Sequence, residues 1–312
     1  ADVGGFFKHP DAEMITRWHQ FGALSYPFYR SHAHIETPRR EPWLYDENTR
    51  ERIKIADRFR YKILPFFYTL FAENYFTSLP IIRPIWFDFM EDIRTKESDH
   101  LENTIMVGDK LLVRCVSKTM EDYGDNKVEE VLLPNHTGGH WYNFFTNEQH
   151  SSGVHQWPLT MEEVPTFIKG GSIIPMKDPA RRSSFSQRND PVTIRVWLDQ
   201  NGQASGTFYT DDEESQGYRT EGKYVYNKFE FAESTFKSTS SHTFEESSAF
   251  TSRLEIRGWP ASKETKPKAF FETAGAQNEL AVTRDCVGEL CTLTVKMVPF
   301  VRLNKGFTVR LN

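Results

Sequence analysis

The sequence predicts an α+β, multidomain protein in which a short helical region is followed by two antiparallel β modules. Three observations point there. The chain has 312 residues, more than one compact domain usually holds. Helical periodicity is confined to the start of the chain, and beyond residue 78 the text becomes short alternating runs broken by turn residues. Hydrophobic residues make up 38% and aromatic residues 14%, with 25 Phe, 12 Tyr and 7 Trp, a composition that can build packed cores and that disordered chains lack.

The first helix is expected after Pro10-Asp11, where Met14, Trp18 and Phe21 recur at helical spacing and Asp11 can cap the free N–H groups. A longer helix should start near Asp46. Ile53, Ala56, Phe59, Ile63, Phe66, Phe67 and Leu70 follow its 3.6-residue period, while Glu51, Arg52, Lys54 and Asp57 face water. Pro65 lies within that pattern and predicts a kink. The runs "LPIIRPIWFDF", "TIMVGDKLLVRCV", "EEVLLPN", "HWYNFF" and "VPTFIKGGSIIPM" then form a first β-sandwich over residues 79–177. The polar stretch "KDPARRSSFSQRND" reads as a linker, and the strands from "VTIRVWL" to "TLTVKMV" form a second sandwich within residues 178–312. Residues 1–78 carry two amphipathic helices with little strand of their own. Such a piece cannot bury both apolar faces without a partner, so the isolated chain is expected to aggregate through an open edge.

Charge and cysteine usage narrow the function classes. Net charge is −5 with no long basic run, which argues against nucleic acid as a partner. No stretch has the length and apolarity of a membrane span, and no signal-like n-region and h-region opens the chain. Cys115, Cys286 and Cys291 lack metal-ligand spacing with histidines, so they give no sign of a metal site. Cys286 and Cys291 flank Val287-Gly288-Glu289-Leu290, which reads as a tight hairpin; a bridge across it and two free thiols both stay open. Asn135-His136-Thr137 is a glycosylation sequon of a length that often arises by chance.

Two stretches carry candidate chemistry. In a (β/α) barrel, working residues stand at the C-terminal ends of strands, and "ADVGGFF" suits such an edge: Asp2 at a strand end, Gly4 and Gly5 for a close turn, Phe6 presented above it. "YPFYRSHAHIETPRREPW" packs Arg30, His32, His34, Glu36, Arg39, Arg40 and Glu41 into a proline-stiffened loop. Charges this dense are costly to organise unless paired or used. Arg30 and His32 are two apart, so an extended backbone points both to one side. A His-x-His zinc site fails for want of further ligands.

These segments, with "RFRYKILPFFYTLF", "IIRPIWFDF", "VGDKLLV", "HWYNFFTNE" and "FIKGGSIIP", resemble the C-terminal part of glycoside hydrolase family 31 α-glucosidases. "HAHIETPRREPW" is most similar to the branch of that family that trims glucose from N-linked glycans in the endoplasmic reticulum. "YTDDEESQGYRTEGKY" resembles an acidic stretch of the distal β module, although Glu213 stands where the family usually has glycine after Asp211-Asp212. The resemblance implies the end of a (β/α)8 barrel followed by two antiparallel β-sandwiches, and retaining hydrolysis of terminal α-1,3-linked glucose on high-mannose glycans without metal or organic cofactor.

It also implies that neither catalytic aspartate is in this chain, since the nucleophile and acid/base segments have no match here and belong upstream of Ala1. The N-terminal part of the same subunit would then be one partner, a regulatory β subunit another and the glycan a third, in the endoplasmic reticulum lumen. "VRLN" at residues 309–312 does not read as a retention signal. For this chain the resemblance assigns substrate binding: Asp2 supports the subsite of the cleaved glucose and pairs with Arg30, His32 bonds glucose hydroxyls, and Phe6 walls the ring. Asp2 is thus a supporting carboxylate and not the nucleophile. Glu36 with Arg39-Arg40 either orders the loop on the leaving-group side or forms plain salt bridges. The reading from a different class is a non-catalytic carbohydrate-binding or scaffold protein that stacks glycans on Trp86, Trp141, Trp157, Trp197 and Trp259.

Overall fold

Residues 1–263, 267–273 and 276–312 are described by a computed structural model. The chain forms two units: one of residues 1–61, 80–137 and 141–168, the other of residues 62–79, 138–140 and 169–312.

The first unit opens with two short extended segments that run parallel. Val3 N–H donates to the Arg30 carbonyl at 2.9 Å and Arg30 N–H to the Ala1 carbonyl at 3.0 Å, around an isolated parallel bridge between Asp2 and Arg30. Parallel neighbours need a crossover, and helix α1 (Ala12–Ser25) is that crossover. Asp11 caps it as expected, its Oδ1 accepting from Met14 N–H at 2.7 Å.

The buried face of α1 differs from the expected one. Met14 is exposed and Trp18 and Phe21 are only half-buried, whereas Ile15, His19, Gly22, Ala23 and Leu24 are buried. Arg17 and Gln20 share that burial because they serve main-chain carbonyls. Arg17 donates to Thr160 at 2.7 Å and Glu163 at 3.0 Å, and Gln20 to Met161 at 2.8 Å. A satisfied polar group can be buried at small cost, so side-chain hydropathy alone picked the wrong stripe.

Helix α2 (Glu47–Lys62) starts behind Asp46, which accepts from the N–H and the hydroxyl of Thr49. Its Ile53 packs with Val3 and Ile15 in a small core bordered by Trp18, Tyr29 and Tyr45. The long helix expected to kink at Pro65 is instead two helices. Ile63 leaves the helical conformation at φ −93°, ψ 4°, and α3 (Leu64–Thr77) begins with Pro65 in its first turn. There proline's missing N–H has no intrahelical partner to lose.

Eight strands follow: β1 (Ile82–Pro84), β2 (Thr104–Val107), β3 (Leu111–Arg114), β4 (Val128–Leu133), β5 (His140–Asn143), β6 (Gln149–Ser151), β7 (Gly153–Pro158) and β8 (Thr166–Lys169). Six of them form a sheet in the order β1-β2-β3-β8-β5-β6, while β4 and β7 pair separately. Ile85, Met106, Leu112, Val131, Leu133, Trp141 and Phe167 are wholly buried together. Arg114 is buried at the end of β3, where Glu129 and Asp99 both accept from its guanidinium.

The second unit does not match the expected antiparallel sandwich. Strands β9 (Ser172–Met176), β10 (Val192–Trp197), β11 (Ala204–Thr210), β12 (Val225–Ala232), β13 (Thr235–His242), β14 (Phe250–Pro260), β15 (Ala269–Thr273), β16 (Ala276–Val287), β17 (Leu290–Arg302) and β18 (Phe307–Leu311) form one closed sheet. Two of its neighbour pairs, β10 with β14 and β9 with β11, are parallel. A Cβ on Gly206 would lie 2.1 Å from the Ile173 carbonyl oxygen, so only glycine lets β11 approach β9 this closely. The ring encloses a core that includes Ile173, Val196, Phe229, Phe231, Phe236, Ile256, Trp259, Leu293 and Val309.

Two segments expected in earlier modules pack here. β9 lies between β10 and β11, and α3 is pinned to the ring: Thr69 Oγ1 accepts from Tyr209 N–H at 3.0 Å, and Glu73 accepts from Thr207 and Tyr226. The acidic loop after β11 is structural. Asp211 accepts from both Tyr68 and Tyr209 hydroxyls, and Asp212, held near a pKa of about 2 by hydrogen bonds from Ser215, caps Glu214 and Ser215. Glu213 takes the left-handed conformation (φ 59°) that glycine would adopt without strain.

Cys286 and Cys291 face each other in the β16–β17 register and are joined by a disulfide; Cys115 is a free thiol. Thiol titration of the denatured, unreduced chain should therefore count one thiol, and a count of three would rule out the bridge. Opening so short a loop by Cys286→Ser should cost about 2 kcal/mol in denaturant unfolding. Glu213→Gly should stabilise the second unit by up to about 1 kcal/mol in the same assay, because glycine carries no Cβ penalty at positive φ.

Candidate functional site

The parallel bridge places Asp2 beside the 28–41 loop. Asp2 Oδ1 accepts from Arg30 Nε at 2.9 Å, and His32 Nδ1 lies 3.3 Å from the same oxygen. Extended backbone puts Arg30 and His32 on one side, as their two-residue spacing requires. Phe6 stands over His32 with ring centroids 5.2 Å apart. The four residues singled out in the sequence, Asp2, Phe6, Arg30 and His32, are thus in one cluster. Its members are half-buried or exposed, although His32 Nδ1, turned to Asp2, is itself buried.

Two further rings extend it. Phe7 and His34 lie 5.5 Å apart, His34 is edge-on to Phe6 at 5.8 Å, and His34 N–H donates to the Phe6 carbonyl at 2.9 Å. The result is an aromatic wall beside a carboxylate, a guanidinium and an imidazole. That combination suits a polyhydroxylated ring: the polar groups supply donors and acceptors for hydroxyls, and a ring face covers C–H surface.

Hydrogen bonding from Arg30, helped by His32, holds the Asp2 carboxyl below the usual aspartate range despite opposing desolvation. Asp2 therefore stays ionised across neutral and mildly acidic pH. The pair is intact above the ordinary carboxylate range and is lost only as pH falls through the lowered value.

The turn between Asp2 and Phe6 depends on glycine. Gly4 and Gly5 have φ 84° and 79°, and a Cβ on Gly4 would sit 2.8 Å from Ile15 Cδ1 and 2.9 Å from Pro10 Cγ. Arg40, only 2% exposed, lies beneath that turn. It donates to the carbonyls of Gly4 at 2.9 Å, Gly5, and Lys8 at 2.5 Å. Arg39 instead turns outward and pairs with Glu41 at 2.8 and 3.0 Å, and Glu36 is exposed. The expected Glu36–Arg39–Arg40 group is therefore divided between a solvated pair and a buried brace.

Support from α2 was likewise not anticipated. Asp57 accepts from the Tyr29 hydroxyl at 2.6 Å and faces His19 Nδ1 at 3.2 Å. Arg60 donates to the carbonyls of Tyr26 and Pro27, both at 2.6 Å, fixing the chain that leads into Tyr29 and Arg30. The signal for Arg60 was present in the sequence: it is a charged residue on the apolar stripe, four after Ala56. Nothing in the Arg39-Arg40 pair tells which of the two is buried.

Among the described residues, no group of three or more His, Cys, Asp or Glu is placed to hold a metal ion. Three of the tryptophans offered as stacking platforms, Trp141, Trp197 and Trp259, are at most 1% exposed and Trp157 packs edge-on against Phe167, leaving Trp86 as the exposed one of the five. No helix among the described residues is long and apolar enough to cross a membrane.

Residues 1–70 match the family model described as the glycosyl hydrolases family 31 TIM-barrel domain, and residues 78–174 match the family 31 C-terminal domain. The chain belongs to glycosyl hydrolase family 31. One relative aligns along its whole length and others over about three quarters of it. Neutral alpha-glucosidase AB of Dictyostelium discoideum is 34% identical over 100% of this chain and 32% of its own length, and the Saccharomyces cerevisiae glucosidase 2 subunit alpha is 38% identical over 78% and 25%.

A crystal structure of an endoplasmic reticulum glucosidase II complex, made of the catalytic subunit and the binding domain of the regulatory subunit, superposes with a TM-score of 0.90. It is 29% identical and covers 100% of this chain and 34% of that one. An alpha3-Glc2-bound glucosidase II alpha subunit gives 0.89 at 28% identity, again over 100% and 34%. The chain thus spans about a third or less of the family 31 relatives it matches. The fragment from β10 onward lies beyond both family models.

Gly4→Ala should destabilise the first unit by about 2–4 kcal/mol, combining positive-φ strain with overpacking, read by denaturant unfolding. Arg30→Gln should raise the Asp2 titration midpoint toward about 3.9, the ordinary aspartate value, followed by carboxyl carbon NMR. An unchanged midpoint would show that Arg30 is not what lowers it.

Proposed function

We propose that this chain supplies the glucose-binding wall of a retaining α-glucosidase that removes terminal α-1,3-linked glucose from N-linked high-mannose glycans. The observation that carries this is the convergence of Asp2, Phe6, Arg30 and His32 on one edge of the first unit. In this reading the His32 imidazole bonds vicinal hydroxyls of the glucose, Asp2 accepts from a hydroxyl while Arg30 keeps it charged and oriented, and Phe6 covers the sugar's apolar face. The linkage follows the relatives. One solved glucosidase II alpha subunit is described as bound to alpha3-Glc2, and an Arabidopsis thaliana relative is named a probable glucan 1,3-alpha-glucosidase.

Retaining hydrolysis needs two carboxylates about 5–5.5 Å apart, one as nucleophile and one as acid/base. In this reading Asp2 serves neither role, because the family resemblance places both catalytic aspartates outside this chain, and Asp2 is the supporting carboxylate that pairs with Arg30. Both belong to the N-terminal part of the same catalytic subunit, with which this chain acts. No step in that mechanism calls on a metal or organic cofactor. The regulatory subunit is a second partner, in line with the complex described for glucosidase II, and the site of action is the endoplasmic reticulum lumen, where glycoprotein quality control uses such trimming. Asn135 is exposed and can accept a glycan there. The segments divide as the barrel end over 1–78, a proximal β module over 79–177 and a distal one over 178–312, with α3 and β9 contributing to the distal ring.

The test is release of glucose from a terminal α-1,3-linked glucosyl glycan by this chain expressed alone and together with the N-terminal part. Activity is expected only with both. His32→Ala should lower kcat/KM by about 10–100-fold, the loss of one or two hydrogen bonds to hydroxyls. Glycan binding by the chain alone, with no glucose released on pairing, would favour a carbohydrate-binding scaffold instead.

A further inference from the structure

The site's two halves come from different stretches of chain. Phe6 hangs from the Gly4-Gly5 turn, and His32 with His34 from the loop that ends at Arg40. One hydrogen bond joins them near the rings, from His34 N–H to the Phe6 carbonyl. Beyond the Asp2–Arg30 bridge, a further link is Arg40. Its guanidinium reaches across to three carbonyls of the first stretch, at Gly4, Gly5 and Lys8, which bracket Phe6 and Phe7 on both sides. We infer that Arg40 is a positioning residue, which fixes Phe6 against His32 by clamping the main chain on either side of Phe6. The inference rests on the proposed role of Phe6 and His32 in binding glucose.

Three features point to a clamp and not to bulk packing. The acceptors are main-chain carbonyls at residues 4, 5 and 8, which set where the intervening backbone runs. Gly4 and Gly5 hold φ 84° and 79°, and glycine loses more conformational freedom on ordering than any other residue, so this turn gains most from an external tie. A planar guanidinium offers several donors in fixed directions, which one ammonium cannot reproduce. Arg40 touches none of the polar atoms of Asp2, Arg30 or His32, so its effect on a ligand passes through the backbone.

The decisive variants are Arg40→Lys, which keeps the charge and loses the fork, and Arg40→Gln, which keeps a planar donor group and loses the charge. Both are made in the full-length protein, alongside His32→Ala, and read in two ways. Hydrogen exchange at the Gly5 and His34 amides, which donate to the Asp2 and Phe6 carbonyls, is expected to accelerate at least tenfold in both variants, while amides of β2, β3 and the second unit stay as in the unaltered protein. With a small aryl α-glucoside, kcat is expected to fall by about 10–100-fold with a smaller change in KM, since misplacing a binding wall by about 1 Å acts mainly on the transition state. Rates are expressed per folded molecule.

Unchanged exchange at Gly5 and His34 overturns the clamp whatever the kinetics show. Faster exchange with unaltered kcat and KM overturns its role in positioning for catalysis. If instead glucose release is unaffected by His32→Ala, the functional reading of the pocket fails, and the exchange result still decides whether Arg40 holds Phe6.

Discussion

The first unit depends on one contact: the parallel bridge that lays Asp2 against Arg30. It has two main-chain hydrogen bonds and one ion pair, too few to hold by themselves. α1 makes it possible by carrying the chain back to the start of the bridge, and the side-chain supports then make it specific. Ile15 and Ile53 close over Val3, Arg40 ties the turn after Asp2, and Arg60 with Asp57 fixes the approach to Arg30. Polar residues do most of this work. That is reasonable for an exposed site, where little apolar area is available to bury and main-chain carbonyls in loops need donors in any case.

Much of this was legible in the sequence because it follows from local rules. The Asp11 cap, the α2 stripe through Ile53 and Ala56, and the shared side of Arg30 and His32 are consequences of capping, helical period and extended-chain geometry. Family resemblance added what local rules cannot, namely that residues 28 positions apart, Asp2 and Arg30, belong together. It did not replace the residue-level reading: it did not put Arg40 beneath the Gly4-Gly5 turn and gave Arg60 no role.

What sequence reasoning missed has a common cause. It ranks side chains by hydropathy, whereas burial here also tracks hydrogen-bond supply. Arg17 and Gln20 are buried in α1 while Met14 is exposed, because the carbonyls of residues 160–163 lie over the polar pair. Arg40 is buried and Arg39 is not, although the two are chemically identical neighbours. The same blindness hid the ring. Alternation marks strands and turns mark hairpins, but neither records that β9 would join β10 and β11, or that two neighbour pairs would run parallel. Those are long-range choices, settled by shape at places such as Gly206.

The position of β18 in the ring has a consequence for how the second unit comes into being. β18 bonds to both β13 and β15, yet it is the last of the ten to be synthesised. Until residues 307–311 emerge, the sheet remains an open ribbon with two bare rims and its apolar lining uncovered. Closure therefore joins segments made far apart in time, because the strand that completes the ring is the last of the ten in the sequence.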